Sequence, residues 1–436
     1  MQSSNSTGVS RREFVKGAAA LAAAASVAPS VIARSAYAGG SDAIKVALIG
    51  CGGRGTGAAV DSLHASPRIH LWAMAETFGE RLGNAHGYLT GSEDLPEEVR
   101  KRVDVPENRR FLGFDAYKQA IASGVDMVIL AQPPHFRAAH FTEAVNAGKH
   151  VFMEKPVGVD PTQIREVLAA AEVAEKKKLG VVTGTQRRHE QCYLEAMKRI
   201  QEGAIGKIVG ANVYWNQGGL WSHQRQPGWS DLEFQMRNWL YYTWLSGDHI
   251  VEQHIHNIDV MNWAMGGPPA RCWAMGGRQV RTDPIYGHAF DHFAVQYEYP
   301  NGVVGQSYCR QIDGTDGRVE EIIIGTEGQL RTTSGYAEIT GKNPWRFSGK
   351  QTNPYRQEHI DLVQSIEAGK PLNEAKRTAE STLTAIMGRM AAYTGKNLTW
   401  DFALKESKLK LGPDKYDFNA PLAMEPVAMP GKTPLV

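Results

Sequence analysis

Short apolar runs alternate with amphipathic stretches through the first part of the chain, and the two periodicities predict different elements. Residues 45–49, 69–75, 110–112, 125–131 and 150–153 read as strands apolar enough for a buried parallel sheet, and a sixth falls within 179–186. Helical periodicity covers 55–64, 115–122, 136–147 and 161–178. Strand and helix in turn at this spacing predict a doubly wound α/β sheet. A polar, proline-containing stretch at 83–106 interrupts the rhythm and reads as a surface insertion. From residue 208 the pattern changes to alternation of period two, over 208–215, 290–299, 305–312 and 320–324, as half-exposed antiparallel strands require. Helical patterning returns at 355–368 and 375–393. The chain thus divides into a leader (1–38), a parallel α/β domain (42–186), an α+β domain with a large open, mostly antiparallel sheet (187–410) and a tail (411–436). The tail carries five prolines and little periodicity, which suits an extended segment wrapping a neighbour.

The leader follows other rules. Ser10-Arg11-Arg12-Glu13-Phe14-Val15-Lys16, an alanine-rich apolar run over 18–27 and the small-x-small triplet Ala36-Tyr37-Ala38 make a twin-arginine export signal with its cleavage site. That route carries folded proteins, so the expected location is periplasmic or otherwise exported. The apolar run is too short to span a bilayer, and no later stretch approaches ~18 uncharged apolar residues; no membrane contact beyond the export machinery is expected. Lys and Arg number 48 against 46 Asp and Glu, which removes the electrostatic case for nucleic acid. Cys51, Cys192, Cys272 and Cys309 show no CxxC spacing and read as buried thiols.

The first strand runs into Gly50-Cys51-Gly52-Gly53-Arg54-Gly55, a G-x-G-x-x-G turn that opens a helix. Gly50 suits the tight turn, Gly52 the close approach of backbone to a pyrophosphate, and Gly55 the packing of helix on strand, with Gly53 and Arg54 completing the loop. Glu76 ends the second strand about 20 residues on, where a carboxylate accepts hydrogen bonds from an adenosine ribose and repels a 2′-phosphate. This is a Rossmann pattern, and it favours NAD over NADP; Arg54 and Arg81 are the basic residues that argue the other way. A diffusible nicotinamide nucleotide is scarce outside the cytoplasm, so an exported protein is expected to carry its cofactor bound.

Glu154-Lys155-Pro156 follows the fifth strand at its carboxyl end, where doubly wound folds place their chemistry. An ammonium there can hold a substrate hydroxyl and the nicotinamide ribose; an exposed Glu-Lys pair is the plain alternative. The densest polar cluster is Asp248-His249-Ile250-Val251-Glu252-Gln253-His254-Ile255-His256-Asn257-Ile258-Asp259. On a continuous helix Glu252 and His256 share a face, so the carboxylate can orient the imidazole as a general base. A zinc or iron site and a structural polar helix start are the competing readings. A helix turns His254 away from His256 and no HExxH spacing occurs, so no metal is assigned. Trp215, Trp221, Trp229, Trp239, Trp244 and Trp263 crowd the same region, and flat aromatic faces suit sugar rings as well as they suit core packing.

With Gly50-x-Gly52-x-x-Gly55, the run from Gly148 to Pro156 and Glu252-x-x-x-His256-x-x-Asp259 in this order, the chain resembles the glucose–fructose oxidoreductase/inositol dehydrogenase/rhizopine catabolism (Gfo/Idh/MocA) family. The resemblance covers nearly everything after the leader, including Gly325-Thr326-Glu327-Gly328. It implies an NAD(P)-binding Rossmann domain, a C-terminal domain with an open sheet, and sugars or cyclitols as substrates. It matches Lys155 to a lysine touching cofactor and substrate, with Glu154 beside it, and His256 to the catalytic base. Glu252 falls where many members carry Asp. Gln132, Pro133 and His135 match the loop bordering the nicotinamide, and Gln186, Arg187 and Trp221 are the further expected substrate-cleft residues.

The expected protein is therefore an exported NAD-dependent oxidoreductase acting on a sugar, glycoside or cyclitol hydroxyl carbon, with Lys155, Glu252 and His256 catalytic. Two other readings stand beside it: a glycoside-cleaving enzyme that oxidises transiently and eliminates, and a non-catalytic NAD-loaded sugar-binding protein. The resemblance also implies a homo-oligomer, dimer or tetramer.

Overall fold

The structure, a computed structural model, describes residues 43–436, so the export signal and its cleavage site lie outside the described residues. Six parallel strands open the fold: β1 (Ile44–Ile49), β2 (Ile69–Glu76), β3 (Arg110–Leu112), β4 (Met127–Leu130), β5 (His150–Met153) and β6 (Val181–Thr183), in the order β3-β2-β1-β4-β5-β6. Successive residues of these strands face opposite layers, and both layers are buried. Val46, Leu48, Ile129 and Phe152 join one core, while Ala47, Ile49, Val128 and Val151 join the other. That is why the strands read as unbroken apolar runs. The order reverses between β1 and β4, which opens a crevice at the carboxyl ends of these two strands.

The helices of this half are α1 (Gly53–Ala65), α2 (Gly79–Gly91), α3 (Ala116–Ala122), α4 (Arg137–Asn146) and α5 (Pro161–Lys176). Helix α2 corrects the expected surface insertion over 83–106. Leu82, Ala85 and Leu89 form a buried stripe at helical spacing, and Val99 and Val105 enter the same core. Four glycines and a run of polar residues hide that stripe in the sequence.

Helix α6 (Gln191–Gln201) leads into the second half. There β7 (Ile208–Gln217), α7 (Asp231–Arg237), α8 (His249–Glu252) and α9 (Ile255–Met265) precede β8 (Arg271–Gly277), β9 (His292–Glu298), β10 (Val304–Gln311), β11 (Arg318–Gly325), β12 (Gly328–Thr333), β13 (Tyr336–Gly341) and β14 (Trp345–Arg346). With β15 (Leu398–Thr399) these make a nine-stranded sheet in the order β14-β13-β12-β11-β7-β10-β9-β8-β15. β7 and β10 pair in parallel at its centre, and the other pairings are antiparallel. One face packs on α9 and on α11 (Ala375–Thr394) through Ile258, Met261, Leu383 and Met387. The other face carries exposed Met275 and Tyr308.

Two expectations change. Helix α10 (Pro354–Glu367), placed by its position among the residues of the second domain, lies instead on the nucleotide-binding sheet. Its Leu362 and Val363 share a core with Leu48 and Phe152, and Gly180 leaves room for Leu362 and Ile366. The tail wraps its own chain: Leu411, Tyr416, Phe418 and Leu422 pack with Phe78, Phe136 and Trp244. The Leu411 amide donates to Asp160 at 2.9 Å, and the Gly431 amide to the Thr394 carbonyl at 2.9 Å. Among the described residues the four cysteines are free and buried, and no helix is long and apolar enough to cross a membrane.

Candidate active site

The turn after β1 is built for close backbone approach. Gly50 has φ +94°, in the left-handed region, and a Cβ there would stand 2.5 Å from the Gln132 amide nitrogen. A Cβ on Gly55 would stand 1.9 Å from the Gly50 carbonyl oxygen. Gly52 and Gly53 differ: a Cβ on either meets no described atom within 4 Å, because both face an open crevice of about 910 Å³. The first two glycines close the turn, and the other two leave the N-terminus of α1 bare. Amides with no intrahelical partner point there, as a pyrophosphate requires. The residues present fit a dinucleotide.

Glu76 lies at the adenosine end of the crevice. Its carboxylate accepts from the amides of Cys51 and Thr77, each at 2.7 Å, and of Phe78 at 3.2 Å. A carboxylate has about four acceptor sites, so capacity is left for a ribose hydroxyl. Arg54 does not serve a 2′-phosphate. Its guanidinium is paired with Glu154, lies 3.4 Å from Asp61 and sits over the Tyr355 ring. Glu154 is thereby a partner of the glycine loop, and Gly184 gives it room. Arg81 remains on the crevice wall beside Glu76, stacked over Phe78.

At the other end Gln132 and Pro133 line the crevice. Both polar atoms of the Gln132 carboxamide are buried without a partner among the described residues, and a group with that donor–acceptor pair matches an amide or a ribose. His135 was expected beside them, but the structure turns it away. Its Nε2 meets the Tyr416 hydroxyl at 2.7 Å, Gln163 contacts its Nδ1, and Trp244 packs edge-on against the ring. Burial, helped by the Lys410 charge, lowers its pKa to about 4, so it is a neutral strut for the tail. Arg137, which was not expected to act, donates to the Pro156 carbonyl at 2.6 Å and to the Gln132 carbonyl, tying the two crevice loops together.

Lys155, Glu252 and His256 come from the loop after β5, from α8 and from α9. The continuous helix predicted across the cluster is broken: α8 ends at Glu252 and α9 begins at Ile255. This changes the partnership. Glu252 accepts from Lys155 Nζ at 2.8 Å and from Gln253 at 2.6 Å, and its carbonyl accepts from the same Nζ at 2.5 Å. Glu252 therefore orients Lys155 rather than His256. Two of the three ammonium protons are used, and one is left for a ligand. His256 stacks on Trp215 at 5.6 Å, and its Nδ1 has no hydrogen-bond partner among the described residues. Burial, then the Lys155 and Arg187 charges, hold its pKa well below the usual imidazole range. The ammonium and the imidazole thus feel each other across one site, and the imidazole is neutral and free to accept a proton.

The neighbouring histidines do not converge on a common point. His254 meets Ser307 Oγ at 2.8 Å, and His249 Nε2 lies 3.4 Å from the Trp215 carbonyl. Asp259 takes a two-point grip from Arg188 at 2.7 and 3.0 Å, which anchors α9. Among the described residues no group of three or more His, Cys, Asp or Glu is arranged to hold a metal ion.

Arg187 is not a free cleft residue. It is buried against Glu321, which also accepts from Tyr193, Asn257 and Thr332, and its guanidinium lies 5.6 Å from the Trp215 ring centre. It underpins the Trp215–His256 stack. Gln186 reaches the Tyr355 hydroxyl at 3.3 Å, next to Arg54. The tryptophans divide as well. Trp244, Trp263 and Trp229 are occupied with His135, Arg188 and Arg237. Trp221 reaches the crevice, with Trp239, but beside Arg81 and Phe78 rather than beside Lys155.

Comparison with known proteins agrees with this geometry. Residues 44–183 match the model of the "Oxidoreductase family, NAD-binding Rossmann fold", and residues 193–331 match the "GFO/IDH/MocA C-terminal domain". The chain is 26% identical over 48% of its length to the 2,7-anhydro-N-acetylneuraminate hydratase of Escherichia coli, and 27% identical over 50% to the scyllo-inositol 2-dehydrogenase (NAD(+)) of Bacillus subtilis. The matched stretches span 54% and 57% of those two relatives, little more than half their length. Scyllo-inositol dehydrogenase from Lactobacillus casei, solved with bound NAD(H) and scyllo-inositol, has the same fold: TM-score 0.61 at 21% identity, over 82% of this chain and 99% of that one. Sheet order, glycine turn and both family models together make the chain a member of the GFO/IDH/MocA oxidoreductase family, with an NAD-binding Rossmann domain at its amino-terminal end.

Proposed function

We propose that the protein is an exported, NAD-dependent oxidoreductase acting on a CH–OH carbon of a sugar, glycoside or cyclitol. One observation carries the reading: beside Glu154, the partner of Arg54 on the crevice wall, Glu252 holds a Lys155 ammonium with one proton to spare, and a neutral His256 on the next helix lies within reach of that charge. When bound, NAD supplies the acceptor for the electron pair leaving the carbon. Lys155 Nζ donates to the substrate oxygen and steadies negative charge on it, and Glu252 holds that ammonium in place. His256, which burial leaves uncharged at neutral pH, accepts the hydroxyl proton at an imidazole nitrogen. The inositol dehydrogenase among the relatives supports the substrate class.

A second reading has an observation of its own. The hydratase among the relatives works on an anhydro sugar, and an exported enzyme has no obvious soluble partner to re-oxidise its cofactor. Transient oxidation, elimination of the leaving group, addition of water to the resulting double bond and return of the same electrons would give net addition of water or net glycoside cleavage. A coupled oxidation of one sugar and reduction of another would also balance.

The leader supports export, and the bare sheet face with Met275 and Tyr308 supports association of copies as a dimer or tetramer. The test is to purify the exported form, identify its nucleotide by mass spectrometry and titrate it with sugars and glycosides while following near-ultraviolet absorbance. An absorbance that no sugar changes overturns the enzyme and favours a sugar-binding protein. Turnover in heavy water separates the two enzymatic readings, since elimination exchanges the hydrogen on the carbon beside the oxidised one.

A further inference from the structure

The crevice has one wall that a Rossmann domain does not supply. Trp221, His223, Met236 and Trp239 belong to the loop and short helix after β7, yet they line the same space as the glycine turn and Glu76. Trp221 lies 6.0 Å from Trp239 and 5.2 Å from the His223 ring. The basicity of His223 is lowered by burial and by the Arg81 and Arg237 charges, which places the group at the Glu76 end. Arg237 fastens it there: its guanidinium lies 2.6 Å from Glu80 and 4.2 Å from the Phe78 ring centre. Trp221 is nonetheless 43% exposed, a large aromatic face held in position over open space.

We propose that Trp221 and Trp239 form the outer wall of the adenosine subsite, stacking on the adenine of the bound nucleotide. The Arg237–Glu80 pair keeps that wall against the loop after β2, so the nucleotide leaves only when this segment lifts. The inference rests on the nucleotide reading of the crevice and reassigns Trp221 from sugar to cofactor. It also gives a physical means of keeping NAD on the protein through export and turnover.

ADP-ribose, which lacks the nicotinamide and cannot be reduced, tests the wall without any catalysis. Nucleotide-free protein is titrated with it by calorimetry, as wild type and as Trp221→Ala, Trp239→Ala and Arg237→Ala, with thermal melts to check folding. Each tryptophan variant is expected to bind about tenfold more weakly. Trp221→Phe is expected to keep most of the affinity, and Arg237→Ala to shed pre-loaded NAD faster on repeated desalting. Unchanged ADP-ribose affinity in folded Trp221→Ala and Trp239→Ala proteins overturns the wall. So does a defect confined to the KM for sugar. A wild type that does not bind ADP-ribose overturns the nucleotide reading itself, and the wall with it.

Discussion

The glycine turn lines the crevice, and the histidine cluster meets it only through Lys155 and the neighbouring Glu154–Arg54 pair; the two are assembled in opposite ways. The turn is made of backbone from one short segment, with Gly55 packed on Gly50 and only Gly50 answering to a distant residue, Gln132. The cluster is made of side chains from the loop after β5, from α8, α9 and β7 that become partners only when both domains are in place. One region tolerates no added atom where it is closed, and the other is specified by charge pairing.

The largest expected effect tests the first region. Gly55→Val, whose Cβ would run into the Gly50 carbonyl, is expected to cost more than about 4 kcal/mol in denaturant unfolding or to abolish folding. Gly52→Ala is expected to melt as wild type does while losing nucleotide, because its Cβ enters only the crevice. Equal melting losses in the two variants would erase the distinction between turn and cradle.

Next come the side chains. His256→Ala and Lys155→Ala are each expected to lower turnover roughly a hundredfold or more with nucleotide content unchanged, and near-full activity in either would defeat the assignment. Glu252→Gln, which keeps a hydrogen-bond acceptor but removes the charge, is expected to lose about tenfold. A double-mutant cycle in turnover then locates its partner: Glu252→Gln should couple with Lys155→Met and add independently to His256→Asn. The reverse pattern would restore the helix-face pairing.

The smallest effects are in pH. Burial holds His256 below the ordinary imidazole pKa, so the unfolded chain binds more protons, and stability falls as pH drops below about 6.5. His256→Gln should flatten that acid limb in thermal melts. His189 shifts the other way: burial alone would lower it, but hydrogen bonds to Asp361 and Glu374 raise it to about 10. Its contribution is full below the unfolded value near 6.5 and is lost as pH rises towards 10, so His189→Gln should destabilise most below about pH 6.5 and least in alkali.

The two regions were not equally legible in the sequence. The parallel sheet, the glycine turn and Glu76 could be read directly, because apolar runs and positive φ are properties of short segments. Lys155 and His256 were legible as residues, but Glu252 was matched to the wrong partner, because the four-residue spacing assumed a helix that breaks at Gln253 and His254. His135 and Arg187 misled for a related reason. A polar residue near a cleft in sequence turns inward when Tyr416 or Glu321, far along the chain, offers it a buried partner. Helix α2 was missed because four glycines diluted a stripe that Leu82 and Leu89 still complete. Phe78 and Arg237 gave no signal at all, since their partners, one another, Glu80 and Phe418, come from distant segments of the chain.

The long return of the tail has a consequence for how the molecule is made. Tyr416 and Phe418 stack on Phe114, and Phe418 reaches Phe78 as well, so an edge begun in the first domain waits for rings encoded far downstream. During synthesis the first domain can form its strands but must leave that flank greasy and unfinished, and only chains read through to the tail can seal it.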